Sequence, residues 1–274
     1  MRNDSVKVDP LTGHIGAEIQ GIDLREPLDD ETYATIHGAL MEHLVVFFRD
    51  QELSPDQHVA FGRRFGELHI HPSAPCVDDR PELMKIHADG SSPFAEGTNW
   101  HTDVSCDAEP PMGSVLHLTT VPTVGGDTLF ASMNAAYDAL SDMMKEILDP
   151  MVAVHTGEVY EGRYEQIGGA QRREYEVSEH PVIRTHPETG RKSLYVNSGF
   201  TKYIVGLKRA ESEALLSFLL QHLANPEFQC RFKWRQNSIA FWDNRCVQHH
   251  ATWDYFPQTR SGIRVTVKGD RPFH

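Results

Sequence analysis

The feature that most constrains this chain is the spacing of its β-prone runs. GAEIQGIDL, GSVLHLTTV, MVAVHTG, PVIRTH, SLYVNSG, SIAFWDN and IRVTVKG are short and bounded by turn material such as HPETGRK. No regular strand-helix alternation follows them, and neither a GxGxxG nor a GxxxxGKS/T phosphate loop is present. A doubly wound parallel sheet needs that alternation. The pattern therefore predicts a mostly antiparallel sandwich or jelly roll with helices packed outside.

Those helices carry their own punctuation. Asp29 or Asp30 is placed to cap a helix with Tyr33, Ile36, Leu40 and Leu44 at helical spacing, which gives way to the strand-like LVVFF at 44–48. Ser54 and Pro55 open a second helix over LSPDQHVAFGRRFGEL, and Gly66 stops it. Two more are expected at 134–148 and 209–224, the latter with Ala214, Leu215, Phe218, Leu219 and Leu223 on one face. With 274 residues, 39% of them hydrophobic, and no repeat or low-complexity linker, residues 1–274 read as one domain with a sizeable core.

Charge narrows the function. Lys and Arg number 26 against 39 Asp and Glu, a formal net charge of −13, and the basic residues are scattered, which argues against nucleic acid as a partner. A negative surface also repels anions at long range, so an anion pocket needs its own local cation. Cys76, Cys106, Cys230 and Cys246 form neither a CxxC pair nor a dense disulfide framework. Neither MRNDSVKVDPLTG nor any other stretch has an apolar run of leader or spanning length. The expectation is a soluble cytoplasmic protein that does not bind membranes.

The chemistry centres on NWHTDVS at 99–105. In an extended segment residues two apart share a face, so His101 and Asp103 would project together while Thr102 points away. An imidazole nitrogen and a carboxylate oxygen, completed by a distant histidine, form the facial triad that leaves open positions on Fe(II). WDNRCVQHH at 242–250 offers His249 or His250, and because strand neighbours face opposite sides only one should reach the metal. Arg260 and Arg264, four apart in QTRSGIRVTVKGD, add two cations and so suggest two anionic groups to bind.

Taken singly, each residue has an ordinary reading: His101 a satisfied core histidine, Arg260 a surface charge, Thr128 a turn hydroxyl, Phe200 ordinary core. Their joint occurrence is what carries weight. Cys106 and Cys246 lie close in sequence to the candidate ligands but lack zinc-knuckle spacing, so they read as buried thiols. His14, His69, His87, His117, His155, His180 and His186 have no partner at a ligand spacing and read as structural.

Together, NWHTDVS, GGDTLF, VNSGF and WDNRCVQHH followed by TRSGIR resemble the taurine dioxygenase family of Fe(II)- and 2-oxoglutarate-dependent enzymes, from about GAEIQGIDL to GDRPFH. The resemblance implies a mainly β fold with peripheral helices around a double-stranded β-helix (jelly-roll, cupin-like) core. It also implies O2-driven oxidative decarboxylation of 2-oxoglutarate, yielding succinate and CO2 as a substrate carbon is hydroxylated. Position by position it makes His101, Asp103 and His249 the iron ligands, with His250 a bystander. It assigns Thr128 and Arg260 to the 2-oxoglutarate carboxylate that does not touch iron, a task suited to a planar guanidinium. His71 and Arg264 become the anion site for the primary substrate, and Phe200 an aromatic wall.

The expected substrate is a small organic anion, foremost a taurine-like alkanesulfonate whose hydroxylated product falls apart to an aldehyde and sulfite. Ala74 and Gly97 stand where taurine-selective members carry a tyrosine and an asparagine. Their absence predicts a bulkier or less polar tail and keeps alkyl sulfate esters and aryloxyalkanoates as alternatives. The family resemblance further implies a homo-oligomer, dimer or tetramer. Two other classes remain: a zinc hydrolase, which would give the arginines no role, and a non-catalytic jelly-roll binding protein, whose ligand affinity would survive loss of the metal.

Overall fold

In the computed structural model, which describes residues 6–169 and 174–274, antiparallel pairing dominates as the turn-bounded runs require. Residues 1–5 of the N-terminal stretch read above lie outside the described residues. The larger sheet has nine strands in the order Lys7–Pro10, Ala17–Gln20, Val45–Phe48, Ser238–Asp243, Gly113–Thr120, Arg260–Val267, Arg80–Ala88 and Cys76–Val77, with Leu68–His69 attached beside Arg260–Val267. Among the described residues its one parallel pairing joins Ala17–Gln20 to Val45–Phe48.

A second sheet, Gln229–Phe232, Thr128–Ser132 and Val247–Ala251 in that order, packs across the first. Alternation along the strands builds two cores at once. Val45, Phe47, Ala240 and Trp242 face the second sheet, where Phe47 stacks on Phe232 at 3.9 Å between ring centroids. Val46, Phe48, Ile239 and Phe241 face the other way, against Ile36, Leu40 and Phe61 of the helices Asp30–His43 and Pro55–Arg63. Both faces of these strands are covered, which is why VVFF and SIAFW read as continuous apolar runs.

The helix signals operate as local hydrogen bonds. Asp29 accepts from the Thr32 N–H to cap the first helix, and Ser54 with Gln57 closes a reciprocal capping box on the second. Elsewhere the structure departs from expectation. The 134–148 segment splits into Met133–Asp138 and Asp142–Leu148, because Ser141 accepts from the Met144 N–H and starts a new helix. Helix Arg209–Leu223 buries Ser212, Leu216, Leu219 and Leu223, while Phe218 is 44% exposed and Ala214 faces solvent. There the Ser212 hydroxyl accepts from the Ile204 N–H at 2.8 Å, turning that face toward the strand Thr201–Ile204.

SLYVNSG pairs only over Lys192–Leu194. Beyond it the Asn197 side chain accepts from the N–H groups of Gly199 and Phe200, bending the chain toward the site described next. The strands Arg80–Ala88, Thr128–Ser132 and Gln229–Phe232 were not expected from their sequences. None of the four cysteines is in a disulfide, and no helix among the described residues is long and apolar enough to cross a membrane.

Candidate active site

All eight residues singled out above for metal, cosubstrate and substrate line one cleft between the two sheets, with about 830 Å³ of empty space. They arrive from distant segments. His101 bridges antiparallel to His249, its N–H donating to the His249 carbonyl at 3.2 Å and its carbonyl accepting from the His249 N–H at 2.8 Å. The chain then turns at once: Thr102 donates its hydroxyl to the Asn244 carbonyl, and Val104 adopts φ 49°. That left-handed conformation is costly for a β-branched residue, and it lets the next step leave the extended path.

His101, Asp103 and His249 each place one ligand atom within 4.8 Å of the others. Asp103 Oδ1 lies 3.9 Å from His101 Nε2 and 4.0 Å from His249 Nε2. His101 Nδ1 is 2.8 Å from the Asn99 carbonyl, so that nitrogen carries the proton and Nε2 is left with its lone pair. The His249 ring is held by packing against Trp242, with centroids 4.6 Å apart, and against His101 at 4.1 Å. Burial pushes both imidazoles below their usual range, His249 furthest, which keeps them neutral. Burial pushes the Asp103 carboxyl up, but the Arg264 guanidinium, with the Ser114 hydroxyl that donates to Oδ2, outweighs it and holds the group ionised. A neutral-imidazole pair and one carboxylate form the donor set a divalent ion needs. His250, on the opposite face of the strand Val247–Ala251, packs instead on Trp100 at 5.6 Å.

Arg260 is the most telling cation. It is 5% exposed, donates through Nε to the Gly126 carbonyl at 3.0 Å and through Nη2 to the Thr128 hydroxyl at 3.2 Å, and lies over the Trp234 ring. Among the described residues no carboxylate pairs with it, since nearby Asp127 is taken by Arg231 at 2.7 Å. Burial, which Tyr255 and Asp127 offset only in part, pushes the guanidinium down to about 10. A buried charge in that state calls for an anionic ligand.

Arg264 sits differently. Its Nη1 donates to Asp103 Oδ1 at 2.6 Å and its Nη2 contacts Met84 Sδ, while Nε has no hydrogen-bond partner among the described residues. The His71 Nδ1 accepts from the N–H groups of Ser73 and Ala74, at 3.1 and 3.0 Å, which leaves the proton of a neutral ring on Nε2. Phe200 packs edge-on to Tyr160 at 5.6 Å.

This arrangement coincides with a sequence match over residues 7–266 to the family described as "Taurine catabolism dioxygenase TauD, TfdA family". The chain belongs to the TauD/TfdA family. With that membership come the dioxygenase class, 2-oxoglutarate and O2 as its cosubstrates, and the jelly-roll core. Among TauD/TfdA relatives, an "Alpha-ketoglutarate-dependent sulfate ester dioxygenase" of Pseudomonas putida is 36% identical over 97% of this chain and 90% of its own. An "Alpha-ketoglutarate-dependent sulfonate dioxygenase" of Saccharomyces cerevisiae is also 36% identical, over 97% of this chain and 68% of its own. The solved structure of a "Taurine Dioxygenase from Burkholderia xenovorans" superposes with a TM-score of 0.85 at 42% identity, covering 98% of this chain and 91% of that one.

Within the TauD/TfdA frame, the two departures noted in the sequence behave unlike each other. Gly97 does line the cleft, but at φ 74° a Cβ there would lie 3.1 Å from His101 Cε1, so the glycine also spares the His101 ring. Ala74 is not among the lining residues; it packs against the neighbouring core cluster and supports His71 through its N–H.

Sequence reasoning missed a polar patch on the wall. The Glu96 carboxylate accepts from the Tyr164 hydroxyl at 3.2 Å and lies 3.7 Å from Arg163 Nε. Burial raises the Glu96 carboxyl, with Arg163 opposing, and burial pushes the Tyr160 and Tyr164 phenols well up, so both stay protonated. These residues come from loops and 3-10 turns with no periodic signal, and only the fold brings them together. A second buried cluster, His186, Asp243 and Cys246, is a closed hydrogen-bond knot. There the Asp243 oxygens accept from Arg245 Nε at 2.9 Å, Arg245 Nη2 at 2.6 Å and, through Oδ2, from His186 Nε2 at 3.0 Å.

Proposed function

We propose that this protein is an Fe(II)-dependent, 2-oxoglutarate-consuming dioxygenase that hydroxylates a small organic sulfonate at the carbon bearing sulfur, releasing an aldehyde and sulfite. The observation that carries the reading is the meeting, in one cleft, of a His/Asp/His donor cluster and a buried guanidinium that no carboxylate among the described residues pairs with. His101, Asp103 and His249 would hold the ion, which when bound supplies O2 activation and a seat for the keto acid. Arg260 and the Thr128 hydroxyl would grip the distal carboxylate of 2-oxoglutarate. The Nε2–H of His71 and the Nε edge of Arg264 would hold the substrate anion, with Phe200 and Tyr160 walling its tail. Fixing both anions leaves one substrate C–H facing the metal, which is how positioning selects the product.

Met84, Ile86, Val159 and Leu116 complete a largely apolar wall, which supports a tail less polar than that of taurine. The same wall, with the sulfate ester dioxygenase relative, favours an alkyl sulfate ester as the second substrate class; aryloxyalkanoates, handled elsewhere in the family, are the third. The test is a panel: the anaerobic complex with Fe(II) and 2-oxoglutarate is mixed with taurine, longer alkanesulfonates, alkyl sulfates and aryloxyalkanoates, and succinate is measured after O2 is added. Longer alkanesulfonates should give the most succinate; a strong preference for taurine would sink the apolar-tail reading. Substrate turnover with no oxygen uptake and no need for 2-oxoglutarate would favour a zinc hydrolase, and unchanged substrate turnover by His101→Ala would remove the metal from the mechanism.

Cysteines outside any disulfide fit the reducing cytoplasm, and the charge of −13 fits a partner that is a small molecule and not nucleic acid. Exposed Val177 and Tyr203, on one three-stranded sheet, support assembly into a homo-oligomer, which sedimentation would measure.

A further inference from the structure

Asp103 differs from its two histidine partners in having two oxygens to offer. A carboxylate free to use both, or to swing between them, would take up coordination space that the keto acid and oxygen need. In the structure the oxygens are kept apart in role. Oδ1 faces the two imidazole Nε2 atoms and Arg264, whereas Oδ2 accepts from the Ser114 hydroxyl at 2.7 Å.

The direction of that last bond is set by what lies behind it. A serine hydroxyl has one hydrogen, and the Asn244 Nδ2 donates to Ser114 Oγ at 3.0 Å, so the hydroxyl must spend its own hydrogen on Asp103. The Asn244 amide is oriented in turn by Trp242, whose indole N–H can only donate and does so to Asn244 Oδ1 at 2.9 Å. A flipped amide would set two donors against each other. The same oxygen receives the Asp103 N–H at 3.3 Å, and the Asn244 carbonyl receives the Thr102 hydroxyl at 2.6 Å. Thr102, Asp103, Ser114, Trp242 and Asn244 are all buried, where an unmet polar group is costly. Ser114 also pairs in register with Trp242 and Thr266 on the strands either side, so the relay is anchored in the central sheet and not in the turn that bears Asp103.

We propose that Ser114, aimed through Asn244 by Trp242, is a positioning residue that makes Asp103 a one-oxygen ligand and so preserves an open coordination position. This rests on the metal-site reading above. The experiment is a titration of Co(II) into the metal-free full-length protein, without 2-oxoglutarate or O2, followed by visible absorption. Wild type, Ser114→Ala, Ser114→Thr and Asp103→Ala are compared.

Ser114→Ala should bind Co(II) about 10- to 100-fold more weakly, the usual scale for losing a partner of a metal ligand, and with an altered spectrum. Ser114→Thr, which keeps the hydroxyl, should return both toward wild type. Wild-type affinity and spectrum in Ser114→Ala, with binding abolished in Asp103→Ala, would overturn the positioning role alone. Wild-type binding in Asp103→Ala would overturn the metal site and the inference with it. If circular dichroism shows that Ser114→Ala does not fold, Ser114→Cys keeps most of the bulk but donates weakly; weakened Co(II) binding there supports the role, and unchanged binding overturns it.

Discussion

Single side chains carry the sharpest expectations. On the role proposed for Arg260, Arg260→Ala would remove a two-donor grip on the 2-oxoglutarate carboxylate, and a charged hydrogen bond is worth ~1.5–3 kcal/mol, so the KM for 2-oxoglutarate should rise roughly 10- to 100-fold. The KM for the primary substrate should move far less in steady-state assays of that variant. Arg264→Ala should do the reverse for the two organic ligands, but the 2.6 Å bond from Arg264 to Asp103 adds a second effect, a change in metal affinity readable by equilibrium dialysis. At Gly97 the left-handed backbone and the 3.1 Å approach to His101 predict that Gly97→Ala lowers metal affinity along with turnover, and that Gly97→Asn, a residue more tolerant of that conformation, does so less. Equal metal affinity in Gly97→Ala and wild type would show that the His101 ring simply moves aside. At this scale the sequence was most readable, because His101, Asp103, His249 and the two arginines are chemically distinctive. Ser114 and Asn244 were not, since nothing marks a serine in GSVLHLTT as facing a carboxylate until the strands are paired.

One strand, Arg260–Val267, delivers both arginines, and its register decides whether they share the cleft. The pairing with Gly113–Thr120 shifts between Ser261 and Gly262, and a Cβ on Gly262 would fall 2.0 Å from the His117 carbonyl oxygen. That bulge admits only glycine without moving the strand. Gly262→Ala should therefore cost about 2 kcal/mol or more in urea melts and weaken both of the proposed anion sites together. Loss of stability with both KM values intact would mean that the strand recovers its register beyond the bulge. Elements built from local signals were legible: Asp29 or Asp30 and the Ser54–Pro55 pair announced their helices, and LVVFF and SIAFW announced strands. Elements decided by tertiary contact were not. The Ser212 bond to Ile204 rotated a helix face, and Thr128–Ser132 exists as a strand because neighbours on both sides complete its ladder.

For the molecule as a whole, buried histidines tie stability to pH. Burial pushes His58 and His155 from 6.5 down to about 3. A group with a folded value below its unfolded one contributes stability that is complete above ~6.5 and is lost as pH falls toward ~3, because the unfolded chain takes the proton first. Melting temperature should therefore drop steadily between those limits, and His58→Gln should flatten the slope; an unchanged slope in that variant would place the acid sensitivity elsewhere. Architecture was readable from the absence of strand-helix alternation, whereas the loop-borne Glu96, Arg163 and Tyr164 were hidden because nothing in their local sequence records what faces them. The lone guanidinium of Arg260 has one more consequence. A buried ion with no counter-charge in contact is a fault that a bound anion would repair, so on the role proposed for Arg260 2-oxoglutarate would act as a missing piece of the interior. At 100 times its dissociation constant it would add ~2.7 kcal/mol to the folded state. A cell poor in this metabolite would hold a more easily digested enzyme, and supply of the keto acid would set how long each copy survives as well as how fast it turns over.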